Sequence, residues 1–137
     1  MESIVQAKRV LEIFKEMSQI PRESGNEKGI SDYIVNFAKN LGLEVHQDDQ
    51  FNVVIKKPAS PGYENRPSII LQGHIDMVCV RDHDSNHDFS KDPIANIIEG
   101  EWMHADHTTL GADNGMGGAM MLAILEDDSQ QHGPMQL

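Results

Sequence analysis

Two short segments hold the side chains whose types and spacing can do chemistry: Gly73-His74-Ile75-Asp76-Met77 and Thr109-Leu110-Gly111-Ala112-Asp113-Asn114-Gly115-Met116-Gly117. In extended backbone, residues i and i+2 point the same way, so His74 and Asp76 can face one site. Either both ligate one cation, or His74 ligates while Asp76 accepts a hydrogen bond from its other ring nitrogen. The second arrangement fixes the ring tautomer and raises ligand basicity. The same pair also fits a loop histidine bonded to a carboxylate without any metal. Asp113 stands among glycines, which let a backbone turn tightly and approach other groups closely. A carboxylate displayed there, just ahead of a helix, can bridge two cations, or it can simply cap the helix. A phosphate cradle at that helix start is disfavoured: the P-loop lysine and the Gly-x-Gly-x-x-Gly order are missing, and Asp113 would repel an anion.

Other polar clusters are weaker candidates. The loop from Asp82 to Asp88 opens like a calcium loop, but its sixth position is His87 rather than glycine and its twelfth is Pro93 rather than glutamate, so it reads as a solvated loop. His104, Asp106 and His107 are close to Asp113 in sequence and fit either supporting groups of the site or surface residues at a strand end. The roles of His83 and His87 stay open. No serine or cysteine nucleophile stands out, and Cys79 has no motif around it.

The elements that must position these groups follow from periodicity. Ile4, Ala7, Leu11, Phe14 and Met17 recur at helical steps, and Pro21 with Ser24-Gly25-Asn26 ends that helix. Ile30, Tyr33, Ile34, Phe37, Ala38 and Leu41 predict a second helix, opened by a Ser24/Glu27 capping box and closed by Gly42 with Leu43 packing back. Leu43–Val45 and Phe51–Ile55 predict two strands around an Asp48-Asp49-Gln50 turn. Ser68 to Gln72 reads as a fully buried strand ending at Gly73. Ile94 to Ile98 and Trp102-Met103 read as short strands, Gly115 to Asp127 as a helix, and Met135-Gln136-Leu137 as the opening of another buried strand. Helices alternating with buried strands predict an α/β fold.

Bulk properties narrow the function class. The chain has 137 residues and a formal charge of −11, which would repel nucleic acid and anionic lipid. Cys79 is the only cysteine, so no intrachain disulfide can form and a reducing compartment is expected. Charge interrupts the N-terminus too early for a signal sequence, and no apolar run reaches membrane-spanning length. The expectation is a soluble, cytoplasmic chain.

Beyond single motifs, the chain resembles the N-terminal part of a dinuclear zinc metallopeptidase family that includes carnosinase, aminoacylase, peptidase T and the aminoacyl-histidine dipeptidases. The resemblance rests on Lys57-Pro58-Ala59, Gly62 to Arg66, Leu71 to Val78, His87 to Ile94, Gly100-Glu-Trp102, Thr108 to Gly115 and His132-Gly-Pro134. It implies an α/β/α catalytic domain of zinc exopeptidase type, with residues 1–137 as its N-terminal part. It implies metal-dependent hydrolysis of dipeptides, of the aminoacyl-histidine kind, through a metal-activated water. The implied cofactors are two divalent ions, zinc or else manganese or cobalt, with His74 and Asp113 as ligands and Asp76 as the catalytic residue orienting His74. A cis peptide at Asp113–Asn114 is implied as well.

Phe51 and His107 depart from the family, standing where glycine is usual. A Glu-Glu pair, a further acidic ligand and a distal histidine of the family are not among these residues, which predicts an incomplete sheet and site, weak metal binding and negligible turnover. The exposed sheet edge then predicts self-association. The alternative is a binding or oligomerisation module of the same fold.

Overall fold

The computed structural model describes residues 2–137. Helix α1 covers Glu2–Ser18 and α2 covers Lys28–Asn40. Strands β1 (Glu44–Gln47), β2 (Val53–Lys57) and β3 (Ile69–Ile70) follow, then the hairpin strands β4 (Ile97–Glu99) and β5 (Trp102–His104). Helix α3 (Ala112–Glu126) and strand β6 (Met135–Gln136) complete the chain.

Four strands form one sheet in the order β1-β2-β6-β3. The hairpin β1–β2 is antiparallel, with Glu44 opposite Lys56 and Gln47 opposite Val53. β6 lies antiparallel to β2 and parallel to β3. The sheet is therefore mixed rather than wholly parallel, because β2 enters by a hairpin from β1 and only β3 reaches β6 through a long crossover. β4 and β5 form a separate two-stranded sheet.

One core joins the helices to a single face of the sheet. Ile13, Phe14 and Met17 of α1, Ile30, Ile34 and Ala38 of α2, Ile55 of β2, and Ala119, Leu122 and Leu125 of α3 form one buried cluster. β2 shows the alternation this requires: Ile55 and Lys57 are buried while Val54 and Lys56 are exposed. Lys57 is accommodated because its Nζ donates to the carbonyls of Ile124, Leu125 and Asp127 at 2.9–3.1 Å, capping the end of α3.

Several sequence expectations need correction. The buried face of α1 runs through Ile13, Phe14 and Met17, while Ala7 and Leu11 are exposed, since only the later turns pack firmly on α3; the side chain of Ile4 lies outside the described residues. The strand expected from Ser68 to Gln72 pairs only over Ile69–Ile70, and these side chains are 53% and 72% exposed rather than buried. They sit on the sheet's edge, where no helix among the described residues covers them. The capping box does not form: Glu27 accepts from the Gly25 amide at 2.6 Å and Ser24 turns elsewhere. The other end of α2 is as expected, with Gly42 at φ 71° and the Leu43 amide bonded to the Ala38 carbonyl at 3.0 Å. No helix of the described residues is long and apolar enough to cross a membrane.

Candidate metal centre

His74, Asp76 and Asp113 meet at one point. Beyond β3 the Leu71 amide bonds the Gln136 carbonyl, and the Met77 amide bonds the Arg22 carbonyl, both at 2.9 Å. The His74–Asp76 stretch is thus held taut between the sheet and the loop after α1. His74 Nδ1 lies 3.0 Å from Asp76 Oδ1, and its Nε2 lies 3.0 Å from Asp113 Oδ1. Ser24 Oγ donates to the other oxygen, Asp76 Oδ2, at 2.5 Å.

Asp113 does not cap α3. Gly111 is the cap residue, at φ 77°, and Asp113 itself is extended (φ −93°, ψ 104°), so the regular helix starts after Asn114. The Asp113–Asn114 peptide is cis, as the resemblance implies. The Asn114 amide fills space that only glycines leave open: a Cβ on Gly73 would fall 2.3 Å from its Nδ2, and one on Gly117 would fall 2.2 Å from its Oδ1. The Asp113 side chain is 96% exposed, whereas that of Asp76 is 30% exposed.

The electrostatics express a conflict. A neutral imidazole has one N–H, yet both ring nitrogens of His74 face carboxylate oxygens. If Nδ1 donates to Asp76, then Nε2 turns a lone pair toward Asp113. Only a second proton or a cation between them relieves this. The hydrogen bond to Asp113, followed by those to Asp76, raises the ring's pKa above the ordinary histidine value despite some desolvation. Asp76 is held below the usual carboxylate range, first by Ser24 and then by His74.

The donor set suits a divalent ion such as zinc. A ring nitrogen and a carboxylate oxygen are both donors that zinc takes, and here they stand 3.0 Å apart, at hydrogen-bond distance. Among the described residues no group of three or more His, Cys, Asp or Glu is arranged to hold a metal ion. A cleft of about 620 Å³ opens beside them, lined by Ile55, Leu71, Leu122 and Leu125 as well as His74 and Asp76.

The remaining polar candidates lie elsewhere. His107 Nδ1 bonds Asp82 at 2.8 Å, with Asp106 3.8 Å from its Nε2, and His104 lies 3.6 Å from Glu99. The His107–Asp82 pair joins the Asp82–Asp88 loop to the segment after β5, while His104 and Glu99 face each other within the β4–β5 hairpin; none of these contacts involves His74. In that loop Asp88 accepts from Ser90 and pairs with Lys91, and His87 packs edge-on against Phe89. Two contributors, Arg22 and Ser24, carry no sequence signal for this site, since their segment reads only as the break after α1 and the cap of α2.

No protein-family model matches the chain. It is 47% identical over 126 residues to the cytosol non-specific dipeptidase of Escherichia coli, covering 92% of this chain and 26% of that protein. The structure of aminoacylhistidine dipeptidase from Vibrio alginolyticus superposes with a TM-score of 0.90 at 45% identity, covering 93% of this chain and 26% of that one. A tripeptidase from Staphylococcus aureus superposes with a TM-score of 0.74 at 27% identity, over 94% of this chain and 35% of that one. The chain thus spans about a quarter of the length of the two dipeptidases. In sequence and in fold it matches the N-terminal part of the aminoacylhistidine dipeptidase family of peptidases.

Proposed function

We propose that residues 1–137 form the N-terminal part of a catalytic domain and supply one side of a divalent-metal centre that hydrolyses dipeptides of the aminoacyl-histidine kind. In this reading His74 and Asp113 are metal ligands and Asp76 orients His74. The observation that carries it is the imidazole held between two carboxylates with only one N–H to share. Asp76 takes that N–H at Nδ1, which leaves the Nε2 lone pair free to bind a cation. Ser24 steadies Asp76 from behind. Asp113, almost fully exposed, has room to share its carboxylate between two ions.

When bound, the ions supply Lewis acidity that activates water and polarises a scissile carbonyl. Zinc suits this mix of nitrogen and oxygen donors, and manganese or cobalt also fit. The apolar cleft beside His74 offers room for a dipeptide side chain. A cytoplasmic location accords with the name of the Escherichia coli relative and with the single cysteine. The exposed Ile69 and Ile70 at the sheet edge favour association of the chain with further polypeptide, another copy included.

Isothermal titration with Zn²⁺ tests the core of this reading. Binding should occur in the parent chain and fall by well over tenfold in His74→Ala and in Asp113→Ala. Equal binding by both variants would remove these residues from the ligand set.

A further inference from the structure

Arg22 lies directly beneath the proposed centre and is only 2% exposed. Charged side chains are almost never so buried unless paired, yet no carboxylate among the described residues forms a salt bridge with it. Its hydrogen bonds go instead to peptide carbonyls. Nη2 donates to the Gly111 carbonyl at 2.8 Å, and Nη1 reaches the carbonyls of Ile75 and Asp76, each at 3.4 Å. The first carbonyl belongs to the loop that presents Asp113, the other two to the loop that presents His74 and Asp76. The Arg22 carbonyl adds a fourth tie by accepting the Met77 amide at 2.9 Å.

We propose that Arg22 is a positioning residue: its guanidinium clasps the His74 loop and the Asp113 loop together and so sets the spacing between the two side chains. Its importance for metal binding rests on the reading given above; the clasp itself does not.

Two features distinguish this from simple filling of the interior. First, the guanidinium is costly to bury, and an apolar side chain of similar volume among Phe14 and Met77 would avoid that cost. What an apolar chain cannot do is direct planar N–H groups at two separate loops. Second, the surrounding backbone is shaped around it. A Cβ on Gly111 would lie 2.6 Å from Arg22 Nη2, and one on Gly115 would lie 2.5 Å from the same atom. Glycine at both positions lets the Asp113 loop settle directly onto the guanidinium. Arg22 Nε is buried with no partner, so the group is held for the bonds of its two Nη atoms alone.

The test uses the metal-free chain and then Zn²⁺ alone. Proton NMR contacts between the His74 ring and the Asp113 side chain are compared in the parent, Arg22→Lys, Arg22→Met and Gly115→Ala, alongside core methyl signals from Ile13 and Leu122. Gly115→Ala retains the charge but sets a Cβ 2.5 Å from the guanidinium, and 2.9 Å from Phe14 Cε2, so the core methyl signals are read alongside. The expected result is an intact core, loss of the His74–Asp113 contact in all three variants, and Zn²⁺ affinity lowered about tenfold or more.

Folded variants that keep the contact would overturn the proposal. Loss of the whole fold in all three would also overturn it, since Arg22 would then support the domain rather than the loops. If instead the parent binds no Zn²⁺, the metal reading fails while the NMR contacts still decide the clasp. If Zn²⁺ binding depends on His74 and Asp113 but not on Arg22, the importance of Arg22 for metal binding fails, and the NMR contacts alone decide the clasp.

Discussion

Ser24 Oγ donates to Asp76 Oδ2 at 2.5 Å across 52 positions of sequence. The bond links the loop after α1 to the carboxylate that meets His74 Nδ1, and the hydroxyl is the largest influence holding Asp76 ionised. In Ser24→Ala, Asp76 keeps its contact with His74 but loses its own restraint. Groups that hold a ligand in place typically cost about 10–100-fold in metal affinity when removed, and Ser24, one step further out, belongs at the low end, about tenfold. Titration with Zn²⁺ should show this loss with little change in melting temperature. A loss as large as that of His74→Ala would mean that Ser24 does more than brace Asp76.

Lys57 anchors the far end of the helix that carries the Asp113 loop. Its ammonium is buried and meets three carbonyls at the end of α3, while Asp128, mostly exposed, stands 3.3 Å away. Lys57→Met fills the volume but leaves those carbonyls without their donor. The expected loss is about 2 kcal/mol in chemical denaturation. Amide exchange should quicken first in Leu125 to Asp128. Unchanged stability would show that water replaces the ammonium at no cost.

The first helices, the β1–β2 hairpin and the closure of α2 were legible because each depends on near neighbours. Gly42 and Leu43 close α2 through bonds to residues a turn away, whatever the rest of the chain does. The exposure of Ile69 and Ile70 was not legible, since it depends on which elements cover the sheet, and an apolar run looks the same buried or bare. His74, Asp76 and Asp113 stood out by residue type and by resemblance, whereas Arg22 did not. Its partners are carbonyls, which leave no trace in a sequence. The Ser24/Glu27 spacing predicts a local cap because that bond needs no knowledge of the fold, and the distant Asp76 takes the hydroxyl instead.

The two departures from the family noted in the sequence, Phe51 and His107, turn out to be the non-glycine residues at positive φ among the described residues, 65° and 55°. A side chain there is disfavoured relative to glycine. His107 recovers some of that cost through Asp82. The hydrogen bond to Asp82, then the charge of Asp106, raises its pKa above 6.5. A pair that raises the folded pKa stabilises fully below the unfolded value and is lost as pH rises through the folded one. His107→Gly should therefore raise the melting temperature more at pH 9, where the pair is gone, than at pH 5, where the pair is intact in the parent. Calorimetry at the two pH values checks the sign. A larger gain at pH 5 would contradict the assignment.

Gly73 and Gly117 act on one group, and this makes their coupling predictable. Added Cβ atoms would fall 2.3 Å from Asn114 Nδ2 and 2.2 Å from Asn114 Oδ1, on the two sides of the same amide. Either Gly73→Ala or Gly117→Ala must displace that side chain, at about 1–3 kcal/mol for overpacking. Gly73 directly precedes His74 and Asn114 directly follows Asp113, so the displacement reaches the proposed centre from either side. Once Asn114 has moved for one alanine, part of the room needed by the other is already free. The double variant should then lose less stability than the two single losses added together, with a coupling of at least about 0.5 kcal/mol. A double-mutant cycle in urea measures it. Strict additivity would show that Asn114 yields independently to each side, and that the amide is not the shared element joining the two loops.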